Sequence, residues 1–140
     1  MSHAQRRKIN RARNMALKPR EGAVYCRWRP TSREQVNDPQ SLWVWPGLTV
    51  IGAGGKVARG VLTEVVNCTP DAVELSCGVT LPPDRLVRAV HPAHALVFKG
   101  CQGLTLKGWV RILTESPHMD LKCLYVASSR ATRHDLLEVL

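Results

Sequence analysis

A chain of 140 residues, 44% of them apolar, has material for one principal core and at most a small insertion. Its formal net charge of +9 suits a protein that meets phosphate, and no uncharged apolar run of about 18 residues offers a membrane span. The basic stretch Met1–Arg20 is not followed by the apolar run of a secretory leader, so a soluble, intracellular protein is expected.

From the N-terminus, Ser2 to Leu17 is rich in helix formers and starts with an N-cap residue, Ser2. Ala4, Ile9, Ala12, Ala16 and Leu17 give this helix only a thin apolar stripe, so it needs something to pack against. The cations Arg6, Arg7, Lys8, Arg11, Arg13, Lys18, Arg20, Arg27, Arg29 and Arg33 crowd this end, opposed only by Glu21. They read either as a phosphate-binding arm or as a solvated basic arm. Between Lys18 and Gly47, Pro19, Pro30, Pro39 and Pro46 predict loop, with one short strand near Ala23 to Trp28. Tyr25, Trp28, Trp43 and Trp45, interleaved with arginines, suit stacking on bases and equally suit plugging a sheet edge.

From Leu48 to Val90 the pattern changes. Leu48–Ile51, Gly60–Val66, Ala72–Leu75 and Leu86–Val90 are short β-branched segments separated by turn residues, which predicts a small β-barrel over 48–90. Gly54-Gly55-Lys56 is followed by Val57, fails the spacing of a phosphate-binding loop, and reads as a hairpin turn. The remaining fifty residues return to mixed α/β. Ala95–Phe98 is a strand or a helix entry, Trp109–Leu113 a buried strand, Leu121–Ser129 a helix and Leu136–Leu140 a final strand.

Cys26, Cys68, Cys77, Cys101 and Cys123 form no Cys-x-x-Cys pair and are expected as ordinary thiols, with no metal site. His91, His94, His118, His134 and Asp135 show no nucleophile–base spacing and are expected to be structural or solvent-facing.

Two segments near the C-terminus carry more information. Lys99–Gly108 reads Lys-Gly-Cys-Gln-Gly-Leu-Thr-Leu-Lys-Gly, and Leu124–Thr132 reads Leu-Tyr-Val-Ala-Ser-Ser-Arg-Ala-Thr. The first resembles motif V of superfamily 1 helicases of the RecD-like and Pif-like branch, typically His-Lys-Ser-Gln-Gly-x-Thr-Leu. The second resembles motif VI, typically Tyr-Val-Ala-x-Ser-Arg-Ala-Thr. Ser2–Asn10 is similar to the motif IV region, and viral members look closest.

The resemblance implies the C-terminal, second RecA-like domain of a DNA helicase: a parallel sheet with flanking helices over 1–47 and 91–140, and an inserted SH3-like β-barrel at 48–90. It implies that Arg130 is a catalytic arginine finger and that Gln102, Gly103 and Arg130 meet nucleotide. Lys99, Thr105, Arg6 and Arg7 would meet DNA, in replication or repair. Where the family has His-Lys, this chain has Lys99-Gly100, which alters the start of the motif. No Gly-x-x-x-x-Gly-Lys-Ser/Thr occurs in the 140 residues. ATP and Mg2+ are therefore expected only in a complete helicase, with single-stranded DNA and an N-terminal RecA-like half as partners and no membrane. A non-enzymatic nucleic-acid-binding module derived from a helicase is the alternative, and a scaffold protein a third reading.

Overall fold

Helix α1 (His3–Leu17) begins in a capping box. The Ser2 Oγ accepts from the Gln5 N–H at 3.1 Å, and the Ser2 N–H donates to Gln5 Oε1 at 2.9 Å. The computed structural model describes residues 2–30, 39–115 and 119–140, so Arg33 and His118 fall outside it. They group into two compact units, Arg7–Ala95 and Met1–Arg6 with Leu96–Leu140.

In the larger unit the buried face of α1 is polar rather than apolar. Asn10 and Asn14 lie one turn apart and are almost wholly buried. The Asn14 amide donates to the Trp43 carbonyl at 2.8 Å, and its Oδ1 accepts from the Trp43 N–H at 2.8 Å. Asn10 treats Ala95 the same way, at 3.1 and 2.7 Å. Each side chain thus satisfies both backbone groups of one residue, which makes a buried amide tolerable. The Trp43 clamp closes the outer edge of β2 (Leu42–Val44), whose other edge pairs antiparallel with β1 (Val24–Cys26). β2 falls where the sequence reads as loop.

Beyond β2 run β3 (Thr49–Gly52), β4 (Leu62–Cys68), β5 (Val73–Leu75), β6 (Thr80–Leu81) and, after helix α2 (Pro83–Ala89), β7 (Val90–Pro92). They form one open antiparallel sheet in the order β6-β5-β4-β3-β7. Where the sequence predicts a small β-barrel over 48–90, the chain forms this five-stranded sheet, which runs on to Pro92. Its core includes Cys26, Leu42 and Val44 from β1 and β2 along with Val50, Val65, Val73, Leu75, Leu86 and Val90. The alternation Val73-in, Glu74-out, Leu75-in sets the buried face. Gly52 is required: a Cβ there would sit 1.9 Å from the Ala58 carbonyl oxygen. Gly54 and Val57 bridge across the turn expected at Gly54-Gly55-Lys56.

The segment Leu86–Val90, expected as a strand, is mostly helix. Pro83 stands at the first helical positions, Asp84 lies in the first turn and Arg88 in the last. This Pro-Asp start is pre-organised for a helix, and Leu86, Val87 and Ala89 are buried along it.

The smaller unit holds α3 (Phe98–Cys101), β8 (Val110–Ile112), α4 (Leu121–Ser128), a 3-10 turn (His134–Leu136) and β9 (Leu137–Val139). β8 and β9 pair in parallel, with Arg111 opposite Glu138 and joined to it by an ion pair of 2.6 Å. Among the described residues this is the extent of parallel pairing between strands, so the larger parallel sheet expected here is represented by two strands. Trp109, expected to be buried, precedes β8 and is 72% exposed, while Ile112 is buried. The Asp120 carboxylate caps α4 by accepting from the Cys123 N–H at 2.7 Å. That bond holds the Asp120 carboxyl below its usual range. Among the described residues no helix is long and apolar enough to cross a membrane.

Candidate functional site

The smaller unit brings the two motif-like segments together. α3 ends at Cys101, and the chain then makes a type II turn. Gln102 has φ −62° and ψ 130°, Gly103 has φ +78°, and the Leu104 N–H donates to the Cys101 carbonyl at 3.1 Å. Gly103 is chosen by that backbone conformation, since a Cβ there would meet open space. Two residues past this turn, Leu106 forms an isolated parallel bridge with Ala131. The Leu106 N–H donates to the Arg130 carbonyl at 2.7 Å, and the Thr132 N–H donates to the Leu106 carbonyl at 3.1 Å. Thr105 and Arg130 are therefore held on adjoining, hydrogen-bonded stretches of backbone.

Arg130 follows Ser129, the C-cap of α4. Its Nε and Nη2 donate to the Ser129 Oγ at 3.3 and 3.1 Å, and Nε also lies 3.4 Å from the Val126 carbonyl. Among the described residues no carboxylate forms an ion pair with it; the acids that pair with arginines are Glu138, with Arg111, and Asp135, with Arg133. A half-buried guanidinium with only neutral partners is available to an anion. Cys101 lies within its field. Burial raises the Cys101 thiol pKa, and the Arg130 charge offsets part of that rise. The thiol itself donates to the Phe98 carbonyl at 3.0 Å.

Gln102, Gly103 and Thr105 are exposed along this turn, and Lys99 is exposed on α3. The remaining predicted contacts lie on α1. Arg6 is 5% exposed and packed within the fold, whereas Arg7 is half-buried and lines an open groove with Lys8 and Arg11. Ser129, which the motif contains but sequence reasoning gave no role, is the residue that orients Arg130. The interleaved aromatics serve partly as plugs. Trp28 and Trp45 pack against the core, Arg88 lies over Trp28, and Lys18 and Tyr25 flank Trp43. Among the described residues no three His, Cys, Asp or Glu side chains gather as a metal site.

Comparison with solved structures gives the fold an independent parallel. A Bacteroides Pif1 helicase bound to single-stranded DNA matches 99% of this chain with a TM-score of 0.61 and 19% identity. The structure describing DNA unwinding at forked double-stranded DNA by two coordinating Pif1 helicases matches 97%, with a TM-score of 0.58 and 20% identity. A Bacteroides Pif1 in complex with ADP-AlF3 and single-stranded DNA matches 97%, with a TM-score of 0.57 and 19% identity. The chain spans 39%, 36% and 38% of those three proteins. No protein-family model matches the chain, and no curated protein does so. The fold is a mixed α/β arrangement like part of these helicases.

Chemically, the junction offers a guanidinium with no ion-paired carboxylate among the described residues, near an exposed turn with the Gln102 carboxamide and the exposed Lys99 and Thr105 on either side of it. That set is chemically suited to an anion.

Proposed function

We propose that this chain is the second RecA-like half of a superfamily 1 DNA helicase, contributing to ATP-driven movement on DNA as part of a larger assembly. The observation that carries the reading is Arg130, a guanidinium without a paired carboxylate among the described residues, tied through its own carbonyl to the motif V-like segment. Phosphoryl transfer develops negative charge on the transferring group, and an arginine placed from outside the phosphate-binding loop stabilises it. In this reading Arg130 is the finger, oriented by Ser129, and Gln102 and Gly103 approach the nucleotide. Lys99, Thr105 and Arg7 meet DNA. ATP and Mg2+ would be held jointly with a phosphate-binding loop, which these 140 residues do not contain. The backbone link between Leu106 and Arg130 would couple DNA contact to nucleotide state.

ATPase activity tests this. The chain alone should be inactive. Mixed with the phosphate-loop half of a Pif1 helicase and single-stranded DNA, it should support hydrolysis, and Arg130→Ala should lower the rate by roughly a thousandfold or more. A second reading, a binding module that keeps this fold without the motor, is favoured by the cations concentrated on α1. It predicts DNA binding unaffected by Arg130→Ala and no hydrolysis in any mixture.

A further inference from the structure

A second anion-facing surface lies in the larger unit, on α1. Arg7, Lys8, Arg11 and Met15 follow the three- and four-residue spacing of one helix face, next to the buried Asn10–Asn14 stripe. With Pro39 and Gln40 they line an open groove of about 580 Å³. No acidic residue occurs anywhere in α1, so the groove's three cations have no counter-charge on their own helix. Gln40 supplies a different kind of signal. Both polar atoms of its carboxamide are shut off from solvent and have no hydrogen-bond partner among the described residues. An orphaned carboxamide is unfavourable, and a ligand that pairs both atoms removes the cost. Gln40 lines the groove, so a rotation of its side chain would present the amide there.

We propose that this groove holds one nucleotide of single-stranded DNA, with the base against Met15 and Pro39, its edge on the Gln40 amide, and flanking phosphates on Arg7, Lys8 and Arg11. The chemistry matches part for part. A carboxamide offers a donor and an acceptor side by side, the pairing that a base edge such as adenine's complements. A methionine and a proline give a polarisable, apolar wall for the base face. Cations one helical turn apart suit successive phosphates, which a single apolar ligand or an isolated anion would not use together. The choice of DNA rests on the helicase reading above; the groove itself rests on Gln40 and the cations. It would fix the strand at a point on the larger unit, separate from the Arg130 junction.

The test uses the full chain without nucleotide or partner, and fluorescence anisotropy with two labelled strands of equal length, oligo(dA) and an abasic-spacer strand. Wild type should prefer the base-bearing strand by roughly five- to tenfold, the scale of one satisfied base contact. Gln40→Ala, and the isosteric Gln40→Leu, should bring that ratio towards one while affinity for the abasic strand stays unchanged, which also reports that the variant is folded. Replacing Arg7, Lys8 and Arg11 together with alanine preserves helix propensity. It should reduce the slope of log affinity against log salt by about 2 for both strands. Equal affinity of wild type for the two strands would overturn the proposal, as would a preference that survives both Gln40 variants. Arg130→Ala should leave the base preference intact, so loss of the helicase reading and loss of this groove are separate results.

Discussion

The two units of this chain divide stability and chemistry between them. Among the described residues, the larger holds fifteen of the buried apolar ones, fourteen of them in one core cluster. The smaller holds three, Cys101, Ile112 and Ala127, and leaves Trp109, Leu121 and Tyr125 between 72% and 84% exposed. Yet the smaller unit carries the turn at Gln102-Gly103 and Arg130, which has no ion-paired carboxylate among the described residues. A segment with few buried apolar contacts opens locally at low cost, so its geometry is set by hydrogen bonds and by whatever it binds. The larger unit holds the main core, and the smaller presents its polar groups on a thinner one.

Core truncation should break or confirm that contrast with the largest effect. Leu75→Ala removes a side chain that is 1% exposed and should lower unfolding free energy by about 2–5 kcal/mol in urea titration. Ile112→Ala, in the thin core of the smaller unit, should cost under about 2 kcal/mol. Equal costs would erase the distinction. Next comes the polar clamp: Asn14→Ala strands the Trp43 N–H and carbonyl and should cost about 1–3 kcal/mol. Gly103→Ala is smaller and local. Its positive φ should cost about 1–2 kcal/mol without steric clash, seen as faster amide exchange at Leu104 with the global urea midpoint little changed.

The pH dependence of the larger unit should be gentler still. Burial, helped by the neighbouring Cys68, pushes the Cys26 thiol from 9.0 to about 12. The fold therefore favours the protonated thiol: that contribution is complete below about pH 9 and is lost as pH rises towards 12. Burial, then the Arg13 charge, holds the His94 pKa below 6.5. Its neutral form is favoured, so its contribution is complete above pH 6.5 and lost as pH falls. Thermal midpoints should form a plateau between these limits. Cys26→Ala should flatten the alkaline side and His94→Gln the acid side.

How far the sequence discloses this structure varies residue by residue. The α1 start is legible because Ser2 and Gln5 stand at capping-box spacing, and β5 because Val73-Glu74-Leu75 alternates. α2 hides behind Pro82-Pro83-Asp84, which reads as a turn between strands yet equally begins a helix. β2 hides between Pro39 and Pro46 because its edge is closed by Asn14, 29 residues earlier, and no local pattern encodes that clamp. At the candidate site the resemblance singles out Arg130 and Gln102. The Leu106–Ala131 bridge, the Ser129 contact and the lone amide of Gln40 are tertiary facts with no signal in spacing.

If the two motif-like segments form one site, they should answer one ligand together. Amide hydrogen exchange would be followed in the chain mixed with the phosphate-loop half of a Pif1 helicase, with and without ADP and aluminium fluoride. Slowed exchange is expected at both Gln102–Leu106 and Arg130–Thr132, abolished by Arg130→Ala. Exchange unchanged in both segments, with the mixture demonstrably assembled, would contradict it.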